Sequence, residues 1–182
     1  EFARNRENIN GEMLVNVTLE DFGGGSPLAG VDFQRRLEQA AYDLGGGGYL
    51  APAQRVEDFL AGRPSAGPGR VTPSYRPGIT WTDLHRCLPP FVSEAIAQAL
   101  PLLGRKLRGY DGPDAVLTAV ESRSSSPVRI LRDGTYQSPL RGLFPCGEGA
   151  GYAGGILSAA ADGMRCAEQI CSFYEKETSH EP

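Results

Sequence analysis

The segment that most narrows the folds open to this chain is a glycine-rich turn set between a short apolar run and a long amphipathic helix. Gly142-Leu143-Phe144-Pro145-Cys146 is a nearly continuous apolar run and is read as a β-strand. Gly147-Glu148-Gly149-Ala150-Gly151-Tyr152-Ala153-Gly154-Gly155 follows it directly. Beyond the turn, Ile156, Leu157, Ala160, Met164, Ala167, Ile170, Cys171 and Tyr174 recur at helical spacing, which predicts a helix running to about Glu177. Glycines at such a place let backbone approach closely and adopt positive φ. The first turn of the helix adds unpaired N–H groups and the positive end of the dipole. Residues Gly149 to Gly154 also fit G-x-G-x-x-G literally. A dinucleotide fingerprint, however, needs a second strand after the helix and an acidic residue about 20 positions on. Glu168 stands near that offset but inside the helix, where it cannot hold a ribose. The spacing leaves two readings open: ligand binding, or close packing of helix on strand.

The rest of the chain reads as mixed α and β. Met13 to Leu19 alternates and is rich in β-formers, predicting a strand. Val31 to Leu44 has helical periodicity and is stopped by Gly45 to Gly48. Ala53 to Leu60 reads as a short helix, and Val71 to Tyr75 as a strand that Pro73 confines to an edge. Thr82 is placed to cap a turn through His85, and Phe91 to Leu103 forms a helical stripe interrupted late by Pro101. Ala115 to Glu121 and Val128 to Arg132 read as strands on either side of a Ser-rich loop. The expected class is α+β.

Charge excludes some partners. A net charge of -4 argues against nucleic acid, whose binders carry a basic stripe. The densest basic stretch, Arg105-Lys106-Leu107-Arg108, reads as a solvated helix end favoured by the dipole. No apolar run approaches the roughly 20 residues that span a bilayer, so no membrane partner is expected. Cys87, Cys146, Cys166 and Cys171 form no C-x-x-C pair and there are two histidines, so no metal site is expected. With no secretory signal, free thiols and a cytoplasmic location are expected; the opening Glu1-Phe2-Ala3-Arg4, without Met, is what a fragment would show. His85, near Trp81 and Cys87, suits either a general base or a packed histidine. Cys146 suits either a redox thiol before a helix N-terminus or a small apolar residue ending a strand. No catalytic residue is assigned.

The run from Gly142 to Ile156, continuing through Ser158-Ala159-Ala160-Ala161-Asp162-Gly163, resembles the last FAD-contacting motif of a family of uncharacterised bacterial FAD-dependent dehydrogenases. Val120-Glu121-Ser122-Arg123-Ser124-Ser125-Ser126-Pro127-Val128-Arg129-Ile130 is similar to a second signature of that family. Further matches lie at Phe2-Ala3-Arg4, Asp32-Phe33-Gln34, Ala51-Pro52-Ala53-Gln54 and Thr82-Asp83-Leu84-His85. The resemblance implies an FAD-dependent oxidoreductase in which an N-terminal Rossmann portion binds the ADP half of FAD. The present chain then supplies a substrate-domain-like region over 1–125, a flavin-closing segment over 126–177 and a tail over 178–182. It implies that Glu148 lies near the ribityl or pyrophosphate region. It also implies that Gly154, Gly155 and Ile156 turn backbone N–H groups to the flavin pyrimidine edge, with Gly147, Gly149 and Ala153 completing the turn. Arg123 and Arg129 flank the Ser/Pro loop and suit either an oxyanion or a surface strand end. On the resemblance, Arg123 and Ser125 are carried as cofactor candidates. Ser124, Ser125 and Ser126 lack the His/Asp pattern of a nucleophile.

The expected partners are the N-terminal FAD-binding portion of the same protein and a small-molecule substrate of unknown identity. This sequence contains no N-terminal strand–G-x-G-x-x-G–helix unit; Gly23-Gly24-Gly25 leads into Ser26-Pro27. The chain alone is therefore expected to be inactive and not to retain FAD. A non-catalytic binding or oligomerisation module, with the turn serving packing, is the alternative. A third reading is a phosphate-ligand-binding protein without redox chemistry.

Overall fold

The computed structural model describes Asn5 and residues 7–178, so Phe2-Ala3-Arg4 and nearly all of the expected tail lie outside the described residues. Contacts divide the chain into two compact units: residues up to Thr18 with Phe33–Ser122, and Leu19–Asp32 with the chain from Arg123 onward. Among the described residues, four α-helices and one small mixed sheet make the class α+β, as expected.

The first unit carries the sheet. Helix α1 (Ala29–Gly45) ends where Gly46 turns to φ 87°, and a Cβ on Gly45 would strike the Leu50 carbonyl oxygen. The chain then enters β1 (Ala51–Arg55), which is followed without a break by α2 (Val56–Leu60). β1 is central: it pairs in parallel with β2 (Ile79–Trp81), Ala51 opposite Ile79, and antiparallel with β3 (Val116–Thr118), Gln54 opposite Leu117. A 3-10 turn over Leu84–Arg86 leads to α3 (Pro90–Lys106), which starts with proline at a position where its missing N–H costs nothing. Val56, Phe59, Leu84, Cys87 and Leu100 form the core. Each large side chain so buried contributes roughly 1.5–3 kcal/mol.

Two buried polar side chains fix this unit. Gln54 accepts from the Leu84 amide at 2.8 Å and donates to the Arg63 carbonyl at 2.7 Å, tying β1 to the 3-10 turn and to the loop after α2. Asp58 accepts from the Ser65 hydroxyl at 2.7 Å, Arg63 Nε at 2.6 Å and Arg55 Nε at 3.0 Å. Burial alone would push this carboxyl up; the Ser65, Arg63 and Arg55 hydrogen bonds outweigh it and hold Asp58 below its ordinary value.

The second unit contains helix α4 (Ile156–Thr178) and no strand among its described residues. Of the regular elements expected, α1, α3 and α4 are present, each differing from its expected limits by a few residues. Ala115–Glu121 is a strand only over Val116–Thr118. The strands expected at Met13–Leu19, Val71–Tyr75, Val128–Arg132 and Gly142–Cys146 are not in any ladder, and Ala53–Leu60 is half strand, half helix. At Met13, Val15 and Val17 the alternation is real: they are half-buried between exposed neighbours. One packed face makes that pattern, but a strand also needs a backbone partner. At Gly142–Cys146, Gly142 takes φ 83° and Pro145 lacks an N–H. The cap of the 3-10 turn is Asp83, which accepts from the His85 amide at 3.1 Å, and not Thr82.

Candidate functional site

The glycine turn is held by an ion pair that reaches across 30 residues. Arg132 meets Asp162, in the second turn of α4, with both guanidinium NH groups, at 3.0 and 2.6 Å. The same Arg132 donates to the Pro145 carbonyl at 2.8 Å, and Asp162 accepts from the Gly147 amide at 2.8 Å. The entrance of the turn is thus tied on both sides of Cys146. The two side chains are 9% and 13% exposed, and the guanidinium lies between the rings of Tyr136 and Tyr152, 3.9 and 3.6 Å from their centroids. The Arg132 hydrogen bonds, with the Gly147 amide, hold the Asp162 carboxyl below its ordinary value despite desolvation.

A second set of bonds joins the turn to residues 126–130. The Ile130 amide donates to the Ala150 carbonyl at 3.1 Å, Arg129 Nε to the Gly151 carbonyl at 3.0 Å, and the Tyr152 hydroxyl to the Ile130 carbonyl at 3.1 Å. The Ser126 hydroxyl lies 3.1 Å from the Gly149 carbonyl and 2.9 Å from the Val128 carbonyl. The Ser/Pro loop therefore meets the turn through Ser126, while Ser125 and Arg123 are exposed beside it.

The glycines of the turn divide into two kinds. Gly147 and Gly151 take φ 72° and 83°, and a Cβ on Gly151 would sit 2.5 Å from the Val128 carbonyl oxygen. Those two serve the chain's own geometry. Gly149 and Gly154 have nothing within 4 Å of a Cβ, and Gly155 meets only the Ser158 hydroxyl at 3.7 Å; none of the three has a left-handed φ. Among the described residues nothing requires glycine there. Beside them α4 opens with Ile156 and Leu157, 89% and 85% exposed. Gly147, Glu148, Gly149, Ala153, Gly154, Gly155 and Ile156 lie in the turn and at the start of α4, where the first-turn N–H groups have no intrahelical partner.

The other candidates are placed differently. His85 is stacked on Phe59 at 4.5 Å, with Nδ1 2.8 Å from Asp83 Oδ1, a packed and oriented ring. Cys87 is buried, and desolvation pushes its thiol up to about 11. Cys146 is exposed and neighbours buried Cys166. Sequence reading passed over Arg132, Tyr152 and Asp162 as site residues. An acidic residue in an otherwise apolar helical stretch, Ala159-Ala160-Ala161-Asp162-Gly163, was the available signal for Asp162. Among the described residues no helix is long and apolar enough to cross a membrane.

An uncharacterised protein of Clostridium beijerinckii is 46% identical over 174 residues, which cover 95% of this chain and 33% of the relative. This chain therefore spans about a third of that relative's length, and the alignment takes in both compact units. Residues 1–124 match the family described as FAD-dependent protein, C-terminal domain-like, a match that stops two residues after the first unit does and before the glycine turn. By that match, which covers more than half of its length, the chain belongs to the family of the C-terminal domain of FAD-dependent proteins.

Proposed function

We propose that this chain is the C-terminal part of an FAD-dependent oxidoreductase of the dehydrogenase type, and that its glycine turn closes over the flavin. The observation that carries the reading is the second kind of glycine: Gly149, Gly154 and Gly155 are bare where the chain itself has no use for bareness. A cofactor edge fits that cradle, because a Cβ there would project into the space it takes. Bound FAD would supply hydride chemistry to the protein. The chain's own contribution is to present the α4 N-terminus, where dipole and free N–H groups favour negative charge on the flavin ring. Gly147, Glu148, Ala153 and Ile156 would contact the same cofactor, and Arg123 and Ser125 would join them from the Ser/Pro loop. The Arg132–Asp162 pair holds the entrance of the turn in place. The N-terminal portion of the same protein would bind the ADP half.

The test compares two glycines in the complete flavoprotein. Gly155→Val should weaken FAD binding by about tenfold or more, the worth of one or two charge-assisted hydrogen bonds, and leave the apoprotein's melting temperature near wild type. Gly151→Val should unfold the turn whether or not FAD is present. If Gly155→Val lowers stability and spares FAD affinity, the turn is a packing device and the reading fails. A second reading, a binding or oligomerisation module, draws on the exposed Ile156, Leu157 and Met164. It requires Leu157→Asp to disrupt an assembly while FAD affinity stays unchanged.

A further inference from the structure

We propose that Cys146 and Cys166 are a redox-active thiol pair, which a small-molecule disulfide converts to an intrachain disulfide. The geometry comes from α4. Asp162 and Cys166 are four residues apart and share a helix face. The chain flanking Cys146 is tied to that face three times. The Gly147 amide donates to Asp162 at 2.8 Å, and the Pro145 carbonyl accepts from the Asp162-bound Arg132 at 2.8 Å. The Phe144 carbonyl lies 3.7 Å from Cys166 Sγ. Cys146 lies between these ties, near enough to Cys166 to act on its thiol.

The two thiols have different exposures and hence different roles. Cys146 is exposed and meets the oxidant first, whereas Cys166 is 2% exposed. Burial, and then its Cys146 neighbour, raises the Cys166 thiol, which disfavours its thiolate as the first attacker. The Cys146 thiolate attacks one sulfur of the small disulfide; that S–S bond breaks, and the departing thiolate takes up a proton. Cys166 then loses its proton to solvent and attacks Cys146 Sγ, expelling the second small thiol. Two cysteine thiols are oxidised to one disulfide, and one small disulfide is reduced to two thiols. The link would fasten the entrance of the glycine turn covalently to α4. The inference stands on the ties of residues 144–147 to α4 and holds whether or not the turn meets a flavin.

The experiment equilibrates the full-length protein with oxidised and reduced glutathione, quenches it with acid and maps the peptides without reduction. The expected product carries a Cys146–Cys166 link, has lost two hydrogens and retains no glutathione. Cys166→Ser should stop at a mixed disulfide on Cys146, and Cys171→Ser should oxidise like the wild type. A Cys166–Cys171 link, glutathione persisting on wild-type Cys146, or both thiols remaining reduced at an oxidised ratio overturns the proposal. The wild-type map decides the matter even if a variant fails to fold.

Discussion

The two compact units of this chain are built by different means. The first has a three-stranded sheet and an apolar core of Val56, Phe59, Leu84, Cys87 and Leu100. In the second, Pro145, Ala150 and Cys166 are the buried apolar side chains among the described residues, and the turn is fixed by Arg132, Asp162 and backbone bonds. Both units hold an aspartate with arginine, but the first sets buried Asp58 beside an apolar core and the second uses Asp162 in place of one. A core supplies stability by area, whatever the exact geometry. A polar clasp supplies one geometry, and loses most of its value when a single partner is removed. The unit that presents the candidate site is thus the one in which position was favoured over bulk.

That contrast can be broken at its strong end first. Phe59→Ala empties the middle of the apolar core and should cost about 3–5 kcal/mol. Trp81, the single tryptophan, lies in β2 of the same unit and reports the loss by fluorescence in urea. A cost below about 1 kcal/mol, the usual scale of a surface change, would show that the core is not what holds this unit. Asp162→Asn comes next, at about 3 kcal/mol, the lower end for removing one member of a buried ion pair, because both members keep some exposure. Hydrogen exchange at the Gly147 and Ile130 amides should accelerate by about a hundredfold. Unchanged exchange would mean that the turn is held by packing after all.

The smallest effect is on pH. Asp58 and Asp162 are both held below the ordinary carboxyl value in the folded chain. Their contribution is therefore complete above the unfolded value, about pH 4, and is lost as pH falls through the lower folded values. In acid titration, Asp58→Asn should flatten the Trp81-reported decline below about pH 4, and Asp162→Asn should flatten exchange at Gly147 over the same range. Equal acid sensitivity in wild type and variant would remove these carboxylates from the account.

Sequence made some of this legible and hid the rest for definable reasons. α1, α3 and α4 could be read because each repeats its apolar residues over several turns. β1 could not: Ala51-Pro52-Ala53-Gln54-Arg55 has no β-branched or aromatic residue, and its place at the centre of the sheet comes from partners far along the chain. Pro52 stands in that central strand because its carbonyl still accepts, from the Ala119 amide at 3.1 Å. The turn was legible as a motif because its residues are contiguous from Gly147 to Ile156. The clasp beneath it was not, since Arg132 and Asp162 become neighbours only after folding. Which glycines serve packing and which face open space is likewise a property of the folded turn: the motif treats Gly151 and Gly154 alike, and the structure separates them.

The central place of β1 has a consequence for how the chain is made. Its antiparallel partner, Thr118 opposite Ala53, is synthesised 65 residues later (118 minus 53). At the ribosome, β1 must therefore wait with one edge unsatisfied while the whole of α3 emerges. An open edge of that kind invites pairing with other nascent chains. The five residues of β1 offer little to such a template: the strand is short, Pro52 withholds a donor and Arg55 adds charge. The weak β-character that hides this strand from a reader of the sequence also protects it from neighbouring chains while it waits.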